Sequence, residues 1–313
     1  MINNKENNFI SAVVYLHKNE KNAVAFFEVL ANVLQDNFKR SEIICVNDGI
    51  SQDVLETLRT ADEKFPDLNI TIINMGFSHG LEAAMNAGID LSIGDFVFEF
   101  DSCYMDYDKS LIMDVYFKSL EGYDIVSAVP PKKSSRFTSR IFYQMYNRFS
   151  DSNYDLCTER FSIISRRAVN RVSAYSKTIP YRKAVYTSSG LKIAHLDYEA
   201  LPDTASKGGI YQDVEKNNKA VDALILFTNL AYKVAVTCTL LMLLFMFGTA
   251  IYTVVAYFGQ NKPVEGWAPL MGLISVGFFA VFLLFSIIIK YLDVLLKLVF
   301  KKQKYLVSSI EKL

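Results

Sequence analysis

Along the amino-terminal part of the chain, short runs of Val, Ile and aromatic residues alternate with segments of helical spacing. Phe9 to Leu16 is such a run and predicts a buried strand. Asn22 to Leu34 places Val24, Phe27, Leu30, Ala31 and Leu34 at helical spacing. Glu42 to Val46 predicts a second strand, closed by the turn Asn47-Asp48-Gly49. Asp53 to Phe65 reads as helix, Leu68 to Ile73 as strand, and Gly80 to Ser92 as a small-residue helix. Asp95 to Phe100 is a fourth strand ending at Asp101. Leu111 to Leu120 predicts helix and Asp124 to Ala128 strand, before Pro130-Pro131 breaks the chain. Arg136 to Phe149 reads as an amphipathic helix, Arg160 to Ser173 as mixed, and Val185 to Leu196 as further strand. Asp197 to Asn218 is polar and contains Gly, as a loop or linker does. This rhythm predicts an α/β fold with a mostly parallel sheet covered on both faces. Ligands of such sheets bind at the carboxyl ends of the strands. Lys18-Asn19-Glu20, Asn47-Asp48 and Asp101 all fall at ends of that kind and should meet at one rim.

The pattern then changes. No charged residue occurs from Val234 to Asn261, or from Gly266 to Ile289. Each stretch exceeds the roughly 20 residues that an α-helix needs to cross a bilayer. The connector, Gln260 to Glu265, is short and holds Pro263, so the two predicted spans form a hairpin with both flanks on one side. Lys216, Lys219 and Lys233 precede it; Lys290, Lys297, Lys301, Lys302 and Lys304 follow it; Lys262 alone sits in the connector. The positive-inside rule puts both flanks in the cytoplasm. The expected organisation is a catalytic-type domain at 1–215 and an interfacial helix at 216–233. Spans at 234–258 and 266–289 follow, joined by an external loop at 259–265, and a basic cytoplasmic tail at 290–313 ends the chain. The expected location is the inner (cytoplasmic) membrane.

Composition narrows the function. Lys+Arg and Asp+Glu both number 33 in 313 residues, and this neutral balance argues against nucleic-acid binding. The four cysteines form no CxxC pair, which fits a reducing compartment and predicts no zinc site. The three histidines are far apart in sequence, which argues against a histidine metal cluster.

The order Val13-Val14, Asn19-Glu20, Val46-Asn47-Asp48-Gly49, Asn74-Met75-Gly76, Gly80, Ala84, Asn86, Gly88, Gly94-Asp95 and Asp101 resembles the GT-A domain of family-2 glycosyltransferases. With the hairpin and basic tail, the chain looks like the polyprenyl-phosphate branch, which resembles dolichol-phosphate mannose synthase. The resemblance implies a GT-A fold and a nucleotide-sugar donor, with Asn19, Glu20, Asp48 and Gly76 on the nucleotide. It implies Mg²⁺ or Mn²⁺ on an Asp-x-Asp motif after the fourth strand. Here that motif reads Asp101-Ser102-Cys103, and a thiol is a poor ligand for a hard cation. Glu99 lies on the same strand face as Asp101 and can supply a second carboxylate, or instead be the buried partner of an arginine. Asp106 and Asp108 follow closely enough to turn in. Glu159 matches the family's acceptor-side carboxylate, within one or two positions. Arg136, Arg140, Arg166, Arg167 and Arg182 are candidates for an acceptor phosphate, with Lys207 nearest to the family's late basic stretch.

Two functions fit. One is a glycosyltransferase moving a sugar to a polyprenyl phosphate by inverting displacement, with Asp101 and Glu159 catalytic. The other is a non-catalytic relative that binds nucleotide or a membrane partner. The resemblance is compatible with a homo-oligomer, and no heptad pattern specifies one.

Overall fold

The computed structural model describes residues 5–17, 22–61, 64–131, 143–148, 154–175, 181–201 and 305–313, with scattered helical positions between 237 and 295. The chain divides into one unit of Met1–Ala223 with Lys302–Leu313 and another of Leu224–Lys301.

The first unit is built on one sheet. Its strands are β1 (Glu6–Leu16), β2 (Phe38–Asn47), β3 (Asn69–Met75), β4 (Phe96–Phe100), β5 (Ile125–Val129), β6 (Phe161–Ser165), β7 (Ile193–Asp197) and β8 (Val307–Lys312). Their order across the sheet is β7-β5-β6-β4-β1-β2-β3-β8. Pairs β1–β2, β2–β3, β1–β4 and β5–β7 are parallel. The helices are α1 (Ala23–Asn37), α2 (Gln52–Ala61), α3 (Leu81–Leu91), α4 (Ser110–Leu120), α5 (Arg166–Tyr175) and α6 (Arg182–Ser188). The α/β class and the mostly parallel sheet are as expected.

The central strands explain the apolar runs. Residues Ile10 to Leu16 of β1 are all buried, as a strand covered on both faces must be. Helix α1 buries Phe27, Leu30, Ala31 and Leu34 of the expected set and adds Phe26, while Val24 is only half-buried. Helix α3 lies unusually close to the sheet. A Cβ on Gly88 would stand 2.3 Å from Val13 Cγ1 and 2.9 Å from Val46 Cγ2, so the helix needs glycine there.

Three expected elements come out differently. The mixed segment at 160–173 is strand β6 followed directly by α5. The strand expected over 185–196 is the end of α6 and then β7. Ala184, Val185 and Tyr186 are buried consecutively, without the alternation that separates strand from helix, so their apolar run reads either way. Of the helix expected at 136–149, residues 143–148 are helical and the remainder lies outside the described residues.

The third difference is the carboxyl terminus. Instead of ending as a tail, the chain adds β8 antiparallel to β3, pairing Ile73 with Ile310 and Asn74 with Ser309. Gly76 N–H donates to the Leu306 carbonyl at 2.8 Å, and Leu313 N–H donates to that of Ile70 at 3.0 Å. Arg59 adds a two-pronged contact to Glu311 at 3.0 and 3.1 Å. One sheet therefore holds strands from before and after residues 224–301.

Among the described residues, no helix is long and apolar enough to cross a membrane. The expected interfacial helix at 216–233, the loop at 259–265 and nearly all of the expected span 234–258 lie outside the described residues, as does part of 266–289. The described helical positions beyond residue 270 leave Leu270, Ile274, Val281, Phe285, Ile288, Leu292 and Leu295 exposed. Their spacing puts them on one apolar stripe.

Gly88→Val tests the α3 contact. Overpacking of a filled core costs about 1–3 kcal/mol, and a branched side chain here should reach the upper end. Thermal unfolding followed by circular dichroism should show a lowered midpoint.

Candidate active site

The carboxyl ends of β1, β2, β3 and β4 share one edge of the sheet, and β1 lies between β2 and β4, where the winding reverses. A crevice at such a point is the natural ligand site of an open α/β sheet. Asp101 follows β4 directly. Strand β6 runs antiparallel to β4 with Phe100 opposite Phe161, so residues just before β6 come beside those just after β4. That register brings Glu159 into the site.

A buried arginine organises this region. Arg182 opens α6 and its side chain is 0% exposed. Its backbone N–H and its Nε both donate to Glu82 Oε2 at 3.0 Å, so the α3 carboxylate also caps the start of α6. Its Nη1 donates to Glu99 Oε2 at 3.2 Å and its Nη2 to Asp101 Oδ1 at 2.6 Å. One turn further, the Tyr186 hydroxyl donates to Glu99 Oε1 at 2.6 Å. The guanidinium fork thus joins α3, β4 and the strand end.

Lys183 faces the next position outward. Its Nζ lies 3.0 Å from Asp101 Oδ2 and 3.3 Å from Glu159 Oε2. Burial opposes ionisation of Asp101, but the charges of Lys183 and Arg182 outweigh it and hold the carboxyl well below its ordinary range. Burial pushes Glu99 the other way, upward, against the pull of Arg182. Lys183 itself is held protonated, because Asp101 and Glu159 outweigh its burial. The arrangement is a line of alternating charge, with Arg182 inside and Asp101, Lys183 and Glu159 towards the rim.

Several predicted site residues have other duties. Asp48 is 1% exposed and accepts from the backbone of His79 at 2.8 Å, from that of Gly80 at 2.9 Å and from Tyr15 OH at 3.0 Å. It ties down the loop before α3 and presents no carboxylate to a nucleotide. Gly76 gives its N–H to Leu306, and a Cβ there would stand 3.3 Å from the Leu306 side chain; the glycine admits the returning chain terminus. Glu99 is the buried partner of an arginine and has no face open to a metal. Arg182 is fully enclosed and unavailable to an acceptor phosphate. Arg166 and Arg167 follow β6 at its far end, by the amino end of β4, and contact Gly94 and Asp124. Asp106 is held by Arg160 at 2.9 Å and Tyr198 at 2.7 Å, while exposed Asp108 accepts from Ser110 N–H at 2.9 Å. Asn19, Glu20, Arg136, Arg140 and Lys207 lie outside the described residues. Asp101 and Glu159 both contact Lys183, which places them beside one another. Sequence reasoning missed Glu82, Lys183 and Tyr186. Adjacent cations inside the apolar stretch Tyr181 to Tyr186 were the available signal.

The sequence pattern of glycosyl transferase family 2 matches residues 11–175. The chain belongs to that family. It is a glycosyltransferase. Its relatives include the uncharacterized glycosyltransferase sll0501 of Synechocystis, 26% identical over 84% of this chain and 83% of that one. The prophage bactoprenol glucosyl transferase homolog of Escherichia coli is 23% identical over 60% of this chain and 62% of its own. Among solved structures, the mannosyltransferase PcManGT of Pyrobaculum calidifontis, in complex with GDP-Man and Mn²⁺, aligns with a TM-score of 0.53 at 11% identity, covering 95% of this chain and 89% of that one. Glucosyl-3-phosphoglycerate synthase of Mycobacterium tuberculosis, with Mn²⁺, UDP and phosphoglyceric acid, gives 0.50 at 10% identity, over 70% and 78%. Both neighbours share the fold and were solved with a divalent metal.

The expected Asp101–Glu99 metal pair does not fit this glycosyltransferase. Glu99 is turned into the core, Cys103 is a buried thiol, and both Asp101 oxygens already meet cations. Among the described residues, Lys183 is the cation at the mouth of the site beside Asp101.

Arg182→Met should destabilise the fold by about 3–5 kcal/mol, because it strands buried carboxylates. Arg182→Lys should recover little of this, since an ammonium lacks the planar fork. Urea unfolding of the two variants against the parent checks both expectations.

Proposed function

We propose that this glycosyltransferase carries a sugar from a nucleotide diphosphate to a polyprenyl phosphate at the cytoplasmic face of a membrane. The finer placement is a branch resembling dolichol-phosphate mannose synthase. The observation that carries the reading is the Asp101–Lys183–Glu159 line at the carboxyl edge of the sheet. Two neighbours of this fold are named for complexes with GDP-Man and with UDP, which supports a nucleotide-sugar donor. A relative named for bactoprenol glucosyl transfer supports a lipid phosphate as acceptor. The long uncharged stretches, the exposed apolar stripe and the return of the chain to its own sheet support a hairpin anchor with both flanks on one side.

The chemistry is one displacement. An acceptor phosphate oxygen attacks the anomeric carbon and forms the new C–O bond. The bond to the donor diphosphate breaks, the nucleotide diphosphate leaves, and the configuration inverts. A phosphate oxygen is already ionised near neutrality, so no strong base is needed. The main task is to align two anions and offset their repulsion. Lys183 supplies positive charge where the leaving diphosphate gathers negative charge. Asp101 and Glu159 fix the position of its ammonium, and Arg182 holds Asp101 in place. Glu159 acts here through Lys183.

Purified full-length protein is incubated with undecaprenyl phosphate and labelled UDP-glucose or GDP-mannose in parallel. Lipid-linked sugar and free nucleotide diphosphate should appear together. Lys183→Met should lower turnover by about 10²–10³-fold, the usual effect of removing one group that stabilises a developing anion. Asp101→Asn should lower it comparably; because Asp101 also pairs with buried Arg182, turnover of both variants is compared below their own unfolding midpoints, measured by circular dichroism. Transfer to a soluble acceptor with none to the lipid would overturn the proposal.

A further inference from the structure

Cys157, Glu159 and His195 are unremarkable in sequence, yet the fold brings them together. Cys157 and Glu159 lie two residues apart in the segment entering β6, and His195 lies on β7. Strand β5 pairs with both β6 and β7, placing Ala128 opposite Phe161 and Ser127 opposite His195. Arg160 N–H donates to the Ala128 carbonyl at 2.8 Å, which pins the entering segment beside that strand. The result is a sulfur, an imidazole nitrogen and a carboxylate oxygen all within 4.8 Å of one another.

Cys157 Sγ lies 3.7 Å from His195 Nδ1. Two such donors on one tetrahedral Zn²⁺, with bonds of about 2.3 Å to sulfur and about 2.0 Å to nitrogen, stand about 3.5 Å apart. Glu159, with several rotatable bonds, can close the remaining gap.

We propose that Cys157, Glu159 and His195 form a binding site for one borderline divalent transition-metal ion, with Zn²⁺ as the type case and a fourth position open to water or a phosphate oxygen. Thiolate and imidazole select such ions over Mg²⁺. The site shares Glu159 with Lys183, 3.3 Å away. Metal binding therefore withdraws Glu159 from Lys183 and lowers transfer. That consequence rests on the function proposed above, whereas the metal site rests on geometry alone.

The test is a Co²⁺ titration of metal-stripped, reduced, full-length protein. One equivalent per chain should produce a thiolate-to-cobalt charge-transfer band, and Zn²⁺ should erase it. Cys157→Ser should abolish the band, and His195→Ala should weaken binding at least about tenfold, the lower end of what loss of a supporting metal contact costs. Cys238→Ser should leave the band unchanged. Circular dichroism melts of the variants show that the fold is retained. A band that survives in Cys157→Ser, binding untouched by His195→Ala, or no band at all in the parent would overturn the site. In the transfer assay, Zn²⁺ should inhibit the parent more than His195→Ala. Equal inhibition would overturn the coupling. Absence of transfer in the parent with Mg²⁺ or Mn²⁺ supplied and no Zn²⁺ would count against the proposed function, while the cobalt band still judges the site.

Discussion

A guanidinium sealed from water and surrounded by Glu82, Glu99 and Asp101 is the constraint on which the site depends. Each of those carboxylates would be costly to bury alone, and so would Arg182. Together they satisfy one another, and the price is geometric: α3, β4 and α6 must meet at one point. The two-pronged use of Glu82, on the α6 backbone and on the arginine side chain, sets where α6 begins. Lys183 follows by one residue, so the same constraint delivers a second cation to the mouth of the site.

The electrostatics of that mouth differ from those of a site built on two acidic ligands. Asp101 has one oxygen turned inward to Arg182 and one outward to Lys183. Its ionised form is held by both cations, so its charge is constant over the range in which most proteins are stable. Cys103 stands where the family motif carries a second aspartate, and it is buried. Asp101 thus faces Arg182 and Lys183, and the residue two positions on offers a thiol rather than an oxygen ligand.

The return of the chain as β8 has a comparable reach. It covers the β3 edge, which would otherwise present unpaired backbone groups. It also accounts for Gly76, Asn74 and Arg59, whose partners are Leu306, Ser309 and Glu311. It comes from beyond residues 224–301, so one sheet holds chain from before and after that segment. The apolar stripe beyond residue 270 and the uncharged stretches then belong to one excursion of the chain.

The order of strands and helices through residue 129 was legible in the sequence, because burial on both faces of a parallel sheet forces apolar runs and helix burial forces a period near four. So were the turn at Asn47-Asp48-Gly49, the place of Asp101 at a strand end, and the family. Past that point a run such as Ala184 to Tyr186 has no period to tell helix from strand, and β8 is short and half polar, its partner more than two hundred residues away. The pairing of charges was beyond local reading altogether. Arg182 meets Glu82 across 100 positions and Glu99 across 83, and Cys157 meets His195 across 38. An arginine has the same letter whether it faces water or three carboxylates. Which of the two holds is decided by the packing that removes the water, and only the tertiary structure contains that.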